Sequence, residues 1–159
     1  MEAFTIEHLT FSYPGEAAAA LSEVTLHIPQ GEFWVIAGYS GSGKSTLLRL
    51  LKPALAPMGQ IAGQIFFEQE ALSEVDPRRQ AAEIGFVGQN PDNQLVTDKV
   101  WHELAFGLEN LGEAQAVIRR RVSETAAFFG MQTWFEREVS TLSGGQKQLL
   151  NLASVVVMQ

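Results

Sequence analysis

The segment that is most informative about the fold is Gly38-Tyr39-Ser40-Gly41-Ser42-Gly43-Lys44-Ser45. It matches the pattern G-x-x-x-x-G-K-[ST], and it lies between an apolar run at 33–37 and a run rich in leucine. Phosphate groups need several N–H donors that converge on one point, and small residues let the backbone curl tightly enough to supply them. The stretch therefore predicts a cradle for nucleotide phosphates between a buried strand and a helix.

Each residue of this cradle has an expected role. Backbone N–H groups of the loop and of the helix start would bind the phosphates, and Lys44 would reach the β- and γ-phosphates. Ser45 would hold Mg²⁺, and Thr46 would bind a phosphate oxygen. A dinucleotide-binding turn is disfavoured, because Thr46 stands where its third glycine would fall. The predicted nucleotide-binding residues are Gly38, Tyr39, Ser40, Gly41, Ser42, Gly43, Lys44, Ser45 and Thr46.

The pattern around the loop predicts an α/β fold. Alternating apolar residues before residue 30 predict antiparallel strands, with a change of phase at His8 that suggests a bulge or a twist. The continuous apolar run at 33–37 predicts a strand covered on both faces, and 65–67 and 84–87 are two further candidate strands. Helical periodicity predicts three helices after residue 97: from Asp98 to Gly112 with Thr97 as N-cap, from Ile118 to Gly130, and from Ser143 onwards.

Composition narrows the class of protein. The chain has 159 residues, of which 46% are apolar and 18% are charged, so it is expected to be globular. It has no cysteine, which excludes disulfides and thiolate metal sites, and no apolar run long enough for a membrane helix. Its net charge of -7 opposes direct binding to DNA or to anionic lipid. A role at a membrane would need a protein partner.

A second motif, Leu142-Ser143-Gly144-Gly145-Gln146, lies at the start of the last predicted helix. Alone it indicates only an N-cap. Together with the phosphate loop it resembles the signature motif of ABC-type ATPases, and the resemblance runs from Met1 to Gln159. It implies that Ser143, Gly144, Gly145 and Gln146 close over the ATP bound to a second ATPase subunit or domain, in a head-to-tail dimer.

The resemblance also implies a domain organisation. Residues 1–93 and 141–159 would form a P-loop NTPase core, with a mixed sheet and an antiparallel β subdomain. Residues 94–140 would form a small helical subdomain. The family places an Mg²⁺-binding Asp, a catalytic Glu and a switch His after the signature helix, and no residue here matches them. We therefore expect a domain that is incomplete at its C-terminus, and a chain that binds ATP without turning it over.

Two further residues match the family's pattern. Tyr13 stands where an aromatic ring stacks on adenine; the alternative is a strand-end tyrosine that packs on its own sheet. Gln89 stands where a glutamine contacts Mg²⁺ and the attacking water, so the resemblance implies a catalytic role for Gln89 beside Lys44. The strings at 89–94 and 105–110 resemble the ATPase subunits of energy-coupling-factor importers.

The resemblance implies partners as well. A groove near Leu95, Val96, Val100 and Trp101 would receive a coupling helix of a transmembrane subunit, although these residues could simply pack the subdomain. The expected protein is peripheral at the cytoplasmic face of the membrane, with no direct insertion and no nucleic acid partner, and its parent would hydrolyse ATP to import a solute. The alternatives are a soluble ABC-type ATPase in DNA repair or translation, and a nucleotide-binding module without catalysis.

Overall fold

A computed structural model describes residues 1–159. The chain divides into two compact units, Met1–Pro77 and Arg78–Gln159. The predicted core and helical subdomain, with boundaries at 93 and 141, stay a prediction. None of the helices combines the length and the apolar character that crossing a bilayer requires.

The first unit is built on a four-stranded sheet in which every pairing is antiparallel. The order across the sheet is β2, β1, β3, β4. A seven-residue helix and a short 3-10 turn lie between β2 and β3 along the chain. The elements are β1 (Glu2–Ser12), β2 (Leu21–Pro29), α1 (Lys44–Leu50), the turn Pro53–Leu55, β3 (Gln60–Phe67) and β4 (Glu70–Ala71). The predicted antiparallel strands and the strand at 65–67 are confirmed.

The core of this unit joins the central strand to α1. Ile6, Leu9 and Phe11 of β1 are fully buried, and they form one cluster with Leu21 of β2 and with α1. The helix contributes its leucines, and full burial of each such side chain is worth about 1.5–3 kcal/mol. The helical members of the cluster are Leu47, Leu50 and, just past the last turn, Leu51. Burial thus fixes α1, which carries the end of the phosphate loop.

The change of phase at His8 is a bulge, which is one of the two alternatives that the sequence allows. His8 has φ 50°, and the register of β1 against β2 shifts between Ile6 and Leu9. The backbone N–H of His8 donates to Thr25 Oγ1 at 3.1 Å instead of continuing the ladder. Gly63 of β3 faces this bulge with φ +89°, and a Cβ there would collide with backbone atoms of His8. The bulge therefore requires glycine at position 63.

The second unit is mainly helical. Its elements are α2 (Pro77–Glu83, whose first residue belongs to the first unit), the 3-10 turn Pro91–Asn93, α3 (Val100–Asn110), α4 (Gln115–Phe128), the turns Gln132–Trp134 and Val139–Thr141, and α5 (Gly144–Val156). The sequence did not predict α2, because no residue of this helix is buried and it shows no apolar period. The three longer helices pack around one cluster that includes Val100, Leu104, Leu108, Ile118, Val122, Leu150, Ala153 and Val157.

The predicted helix ends at Gly112 and Gly130 are confirmed. Both α3 and α4 end in paired hydrogen bonds that satisfy the last carbonyl groups. At α3, Glu113 N donates to Leu108 O at 3.1 Å and Gly112 N to Glu109 O at 2.9 Å. At α4, the corresponding donors are Met131 N, to Ala126 O at 2.8 Å, and Gly130 N, to Ala127 O at 3.2 Å.

Two predicted strands are wrong. Residues 33–37 and 84–87 belong to no strand, and Phe33 and Val35 are 93% and 74% exposed. A strand needs a hydrogen-bonded neighbour, and the sheet of this chain contains only the four antiparallel strands. The parallel part of the expected mixed sheet is therefore not formed by these residues.

One smaller prediction also needs correction. The N-cap of α3 is Lys99 and not Thr97, because the Thr97 hydroxyl shares its one proton between Lys99 O, at 3.1 Å, and Glu103 Oε2, at 2.9 Å, instead of accepting from the helix.

Candidate functional site

The phosphate loop runs from Gly38 to the first residue of α1, Lys44. Within it Ser42 N donates to Tyr39 O at 3.2 Å, which closes a turn. Gly43 has φ +86°, and a Cβ there would lie 2.5 Å from the carbonyl oxygen of Ala20. Glycine is required at this position by both the backbone angle and the available space. The motif therefore holds the loop tightly against the start of β2.

Lys44 folds back over its own loop. Its Nζ donates to Gly38 O at 2.9 Å, to Tyr39 O at 2.6 Å and to Ser42 Oγ at 3.2 Å. An ammonium group has three N–H donors, so the loop supplies one acceptor for each of them. The oxygens of a bound phosphate are acceptors of the same kind and can take over these bonds. The lysine is thus held over the loop that would bind the ligand.

The rest of the loop is open to a ligand. Ser40, Gly41 and Ser42 are exposed, and a Cβ at Gly41 would meet no atom within 4 Å. Ser45 is exposed at the start of α1, and no group of three or more His, Asp or Glu side chains could hold a metal ion. A hydroxyl group with phosphate oxygens and water is a set of ligands that suits Mg²⁺. The residues present therefore fit an Mg²⁺-bound polyphosphate.

Tyr13 joins the sheet to the phosphate loop. Its ring meets Phe11 edge-on with centroids 4.9 Å apart, and its hydroxyl lies 2.9 Å from Thr46 Oγ1 in α1. It also lines a cavity of about 550 Å³ together with Glu16, Met58 and other residues. A cavity of this size can hold a nucleoside. Stacking on adenine stays a prediction, and the contact with Phe11 is the packing that the alternative interpretation expected.

The signature motif forms the start of α5. Ser143 is its N-cap and accepts from Gln146 N at 3.3 Å, while Gln146 Oε1 accepts from Ser143 N at 3.0 Å. This is a capping box, so these two side chains have a structural role of their own. Gly144 and Gly145 are exposed, and a Cβ at either would meet nothing within 4 Å. The fold itself does not require these glycines.

Gln89 lies exposed in the loop that precedes the turn Pro91–Asn93. The loop is tied to α5 at two points: Lys147 Nζ lies 2.6 Å from Asp92 Oδ1, and Gln148 Nε2 donates to Gln89 O at 3.5 Å. The second unit therefore brings the Gln89 loop and the signature helix together. The Gln89 side chain is open to solvent, and its contact with Mg²⁺ and water stays a prediction.

Gln94 is a residue whose role the sequence did not reveal. Its Nε2 donates to Phe86 O at 3.1 Å, and its Oε1 accepts from Gly88 N at 2.5 Å. The amide thus holds the backbone on both sides of Val87, immediately before Gln89. Gln94 is the last residue of the string at 89–94, but that string does not predict that its side chain turns back to Phe86 and Gly88.

The four residues proposed for the partner groove have different environments. Val100 is fully buried, and Leu95 is partly buried against the same helical core, as the packing alternative expected. Trp101 is half-buried and stacks on His102 with centroids 5.1 Å apart. Val96 is 63% exposed, and it lines a cavity of about 180 Å³ between α3 and α5. Of the four, Val96 is the best placed to meet a partner.

The fold and the loop define a nucleotide-binding domain of the phosphate-loop class. A match to the ABC transporter family covers residues 21–159, and the chain belongs to this family. The predicted fold class is confirmed by this match and by the solved structure of cbiO1 from Clostridium perfringens, described as part of the ABC transporter complex cbiONQ. That structure aligns with a TM-score of 0.84 at 30% identity, over 99% of this chain and 62% of its own.

The names of similar proteins agree with this family assignment. A protein of Bacillus thuringiensis subsp. konkukian, named as an ABC transporter ATP-binding protein, is 49% identical over 97% of this chain and 28% of its own length. The energy-coupling factor transporter ATP-binding protein EcfA of Syntrophomonas wolfei is 40% identical over 98% of this chain and 56% of its own length. The resemblance to energy-coupling-factor ATPases is thereby confirmed. The chain therefore spans about half, or less, of the length of these relatives.

Proposed function

We propose that this chain is the nucleotide-binding part of an ATP-binding subunit of an energy-coupling-factor importer. The parent protein hydrolyses ATP to drive the uptake of a solute. The observation that carries the proposal is the Lys44 ammonium, which is held over an open glycine loop by two carbonyl groups and one hydroxyl. The similarity to EcfA of Syntrophomonas wolfei supports the importer rather than an enzyme of DNA repair or translation.

In this proposal the residues of the site have different tasks. The loop from Gly38 to Lys44 and the hydroxyl of Thr46 bind the phosphates, and Tyr13 stacks on the adenine. Ser45 and Gln89 hold Mg²⁺, which offsets negative charge on the phosphates. Gln89 also orients the attacking water in the parent protein. No Asp or Glu of this chain matches the family's catalytic pair, so the chain binds ATP without sustained turnover.

The proposed partners follow from the open surfaces of the second unit. The bare backbone of Gly144 and Gly145 faces the nucleotide of a second ATPase subunit or domain, in a head-to-tail pair. The exposed Val96 and the small cavity beside it contact a coupling helix of a transmembrane subunit. The net charge of -7 disfavours nucleic acid and anionic lipid as direct partners. The protein therefore works at the cytoplasmic face, attached through another protein.

Replacement of Lys44 tests ATP binding. We expect Lys44→Ala to abolish measurable binding of Mg-ATP, because it removes the ammonium group that is held over the phosphate loop. Isothermal titration of the unmodified chain and of the variant with Mg-ATP measures this. Lys99→Ala is the matched control, since it removes the same charge from the start of α3 and should leave the affinity unchanged. Equal affinity in the chain and in Lys44→Ala would reject the proposed site.

A further inference from the structure

The hydrogen bond between Tyr13 and Thr46 gives Tyr13 a second contact besides its ring packing. Thr46 is the third residue of α1 and is only 7% exposed, and its hydroxyl oxygen lies 2.9 Å from the Tyr13 hydroxyl. The ring of Tyr13 is fixed independently by its edge-on contact with Phe11. The phenol oxygen is therefore held in place, and it meets the Thr46 hydroxyl at the end of the phosphate loop.

The direction of this hydrogen bond decides what Thr46 can do. A hydroxyl group has one proton to donate and two lone pairs that accept. If Tyr13 donates to Thr46 Oγ1, the proton of Thr46 stays free for another acceptor, and the two bonds reinforce each other. Without such a donor, a threonine near a helix start can turn its hydroxyl to the carbonyl group four residues earlier. A hydrogen bond donated by Tyr13 would therefore favour the orientation in which the Thr46 hydroxyl proton points to the phosphate loop. It would disfavour the orientation in which that proton is donated to the helix backbone.

We propose that Tyr13 is a positioning residue for the phosphates: its hydroxyl donates to Thr46 Oγ1, so that Thr46 donates to a phosphate oxygen of the bound nucleotide. This inference rests on the proposed function, because it needs a phosphate in the loop. It assigns the ring and the hydroxyl of Tyr13 to different parts of the ligand. The ring serves the base, and the hydroxyl acts on the phosphates through Thr46.

Tyr13→Phe separates the two roles, because it keeps the ring and removes only the hydroxyl. We expect it to weaken Mg-ATP and Mg-tripolyphosphate by the same factor, about two- to tenfold, as for one lost hydrogen bond. A merely structural tyrosine, or one that acts by stacking alone, would leave the tripolyphosphate affinity unchanged. Isothermal titration with both ligands measures this, and thermal unfolding checks that the variant is folded.

Variants of Thr46 complete the test. Thr46→Val keeps the shape of the side chain and removes its hydroxyl, so Tyr13→Phe should cause no further loss of tripolyphosphate affinity in that background. Thr46→Ser restores the hydroxyl, and the dependence on Tyr13 should return. The proposal is overturned if Tyr13→Phe leaves tripolyphosphate binding unchanged, or if it causes as large a loss in the Thr46→Val background as in the unmodified chain.

Failure of this inference can be told apart from failure of the proposed function. If the chain binds both ligands and loses them in Lys44→Ala, the phosphate site stands, and an unaffected Tyr13→Phe rejects only the role of the hydroxyl. If the chain binds neither ligand, the proposed function is rejected and the inference with it.

Discussion

Glu103 shows how a single buried carboxylate can organise the segment that leads into a helix. It is 5% exposed on α3, and its Oε2 accepts from Val96 N at 3.1 Å, from Thr97 N at 2.8 Å and from Thr97 Oγ1 at 2.9 Å. Hydrogen bonds to an ionised acceptor are stronger than neutral ones. Glu103 therefore fixes the backbone at Val96, which is the exposed residue proposed to meet the membrane partner.

Removal of this carboxylate should lower the stability of the protein. We expect Glu103→Leu to lower the free energy of unfolding by about 2–4 kcal/mol, because it leaves the N–H groups of Val96 and Thr97 without their acceptor, whereas the Thr97 hydroxyl can still donate to Lys99 O. Glu103→Gln keeps one amide oxygen as an acceptor and should cost about half as much. Urea denaturation of both variants measures the difference. A Glu103→Leu variant as stable as the unmodified chain would contradict this role.

At the scale of single residues, the sequence predicts a contact best when the two contacting residues are close along the chain. Lys44 contacts atoms of 38, 39 and 42, and Ser143 pairs with Gln146, so a local motif contains the whole interaction. Gln94 holds backbone up to eight residues away, and Tyr13 meets Thr46 across 33 residues. Such contacts depend on how the chain folds back, which no local pattern shows.

At the scale of elements, the start of α5 separates what the fold needs from what a partner needs. The capping box of Ser143 and Gln146 begins the helix, but Gly144 and Gly145 face open space. Glycine is a poor helix former, so two of them in the first turn reduce the stability of α5. The two glycines agree with the proposal that a second ATPase subunit or domain approaches this backbone closely.

We expect alanine to have opposite effects on stability at two glycines. Gly145→Ala should leave the free energy of unfolding unchanged or raise it by up to about 1 kcal/mol, because a methyl group fits there and alanine favours the helix. The affinity of the Gly145→Ala variant for Mg-ATP should not change. Gly130→Ala is the matched control: with φ +67° at that position it should cost about 1–2 kcal/mol. Equal losses in both variants, measured by urea denaturation, would contradict the interpretation of Gly145.

The predicted strands at 33–37 and 84–87 show a limit of periodicity. A continuous apolar run indicates that a segment is covered on both faces in its final structure, but it does not say which residues cover it. The strands β1, β2 and β3 form because they pair with one another. The two apolar segments have no such neighbour among residues 1–159, and Phe33 and Val35 stay exposed. The helices after residue 97, whose partners all lie in the second unit, were predicted much better.

At the scale of the whole molecule, the two motifs lie in different compact units. The first unit carries the phosphate loop and Tyr13, and the second carries the Gln89 loop and the signature helix. Each of these segments has a local structure that agrees with its proposed task. The family and the fold could be predicted from the two motifs and their order.

Amide hydrogen exchange with and without Mg-ATP tests whether the phosphate loop binds the nucleotide. Exchange at residues 38–46 should slow on binding, by up to about a hundredfold at a ligand concentration of about 100 Kd, because the loop N–H groups bind the phosphates. The same residues should show no change in Lys44→Ala. Protection confined to other segments, or unchanged exchange at 38–46 in a chain saturated with Mg-ATP, would contradict the account.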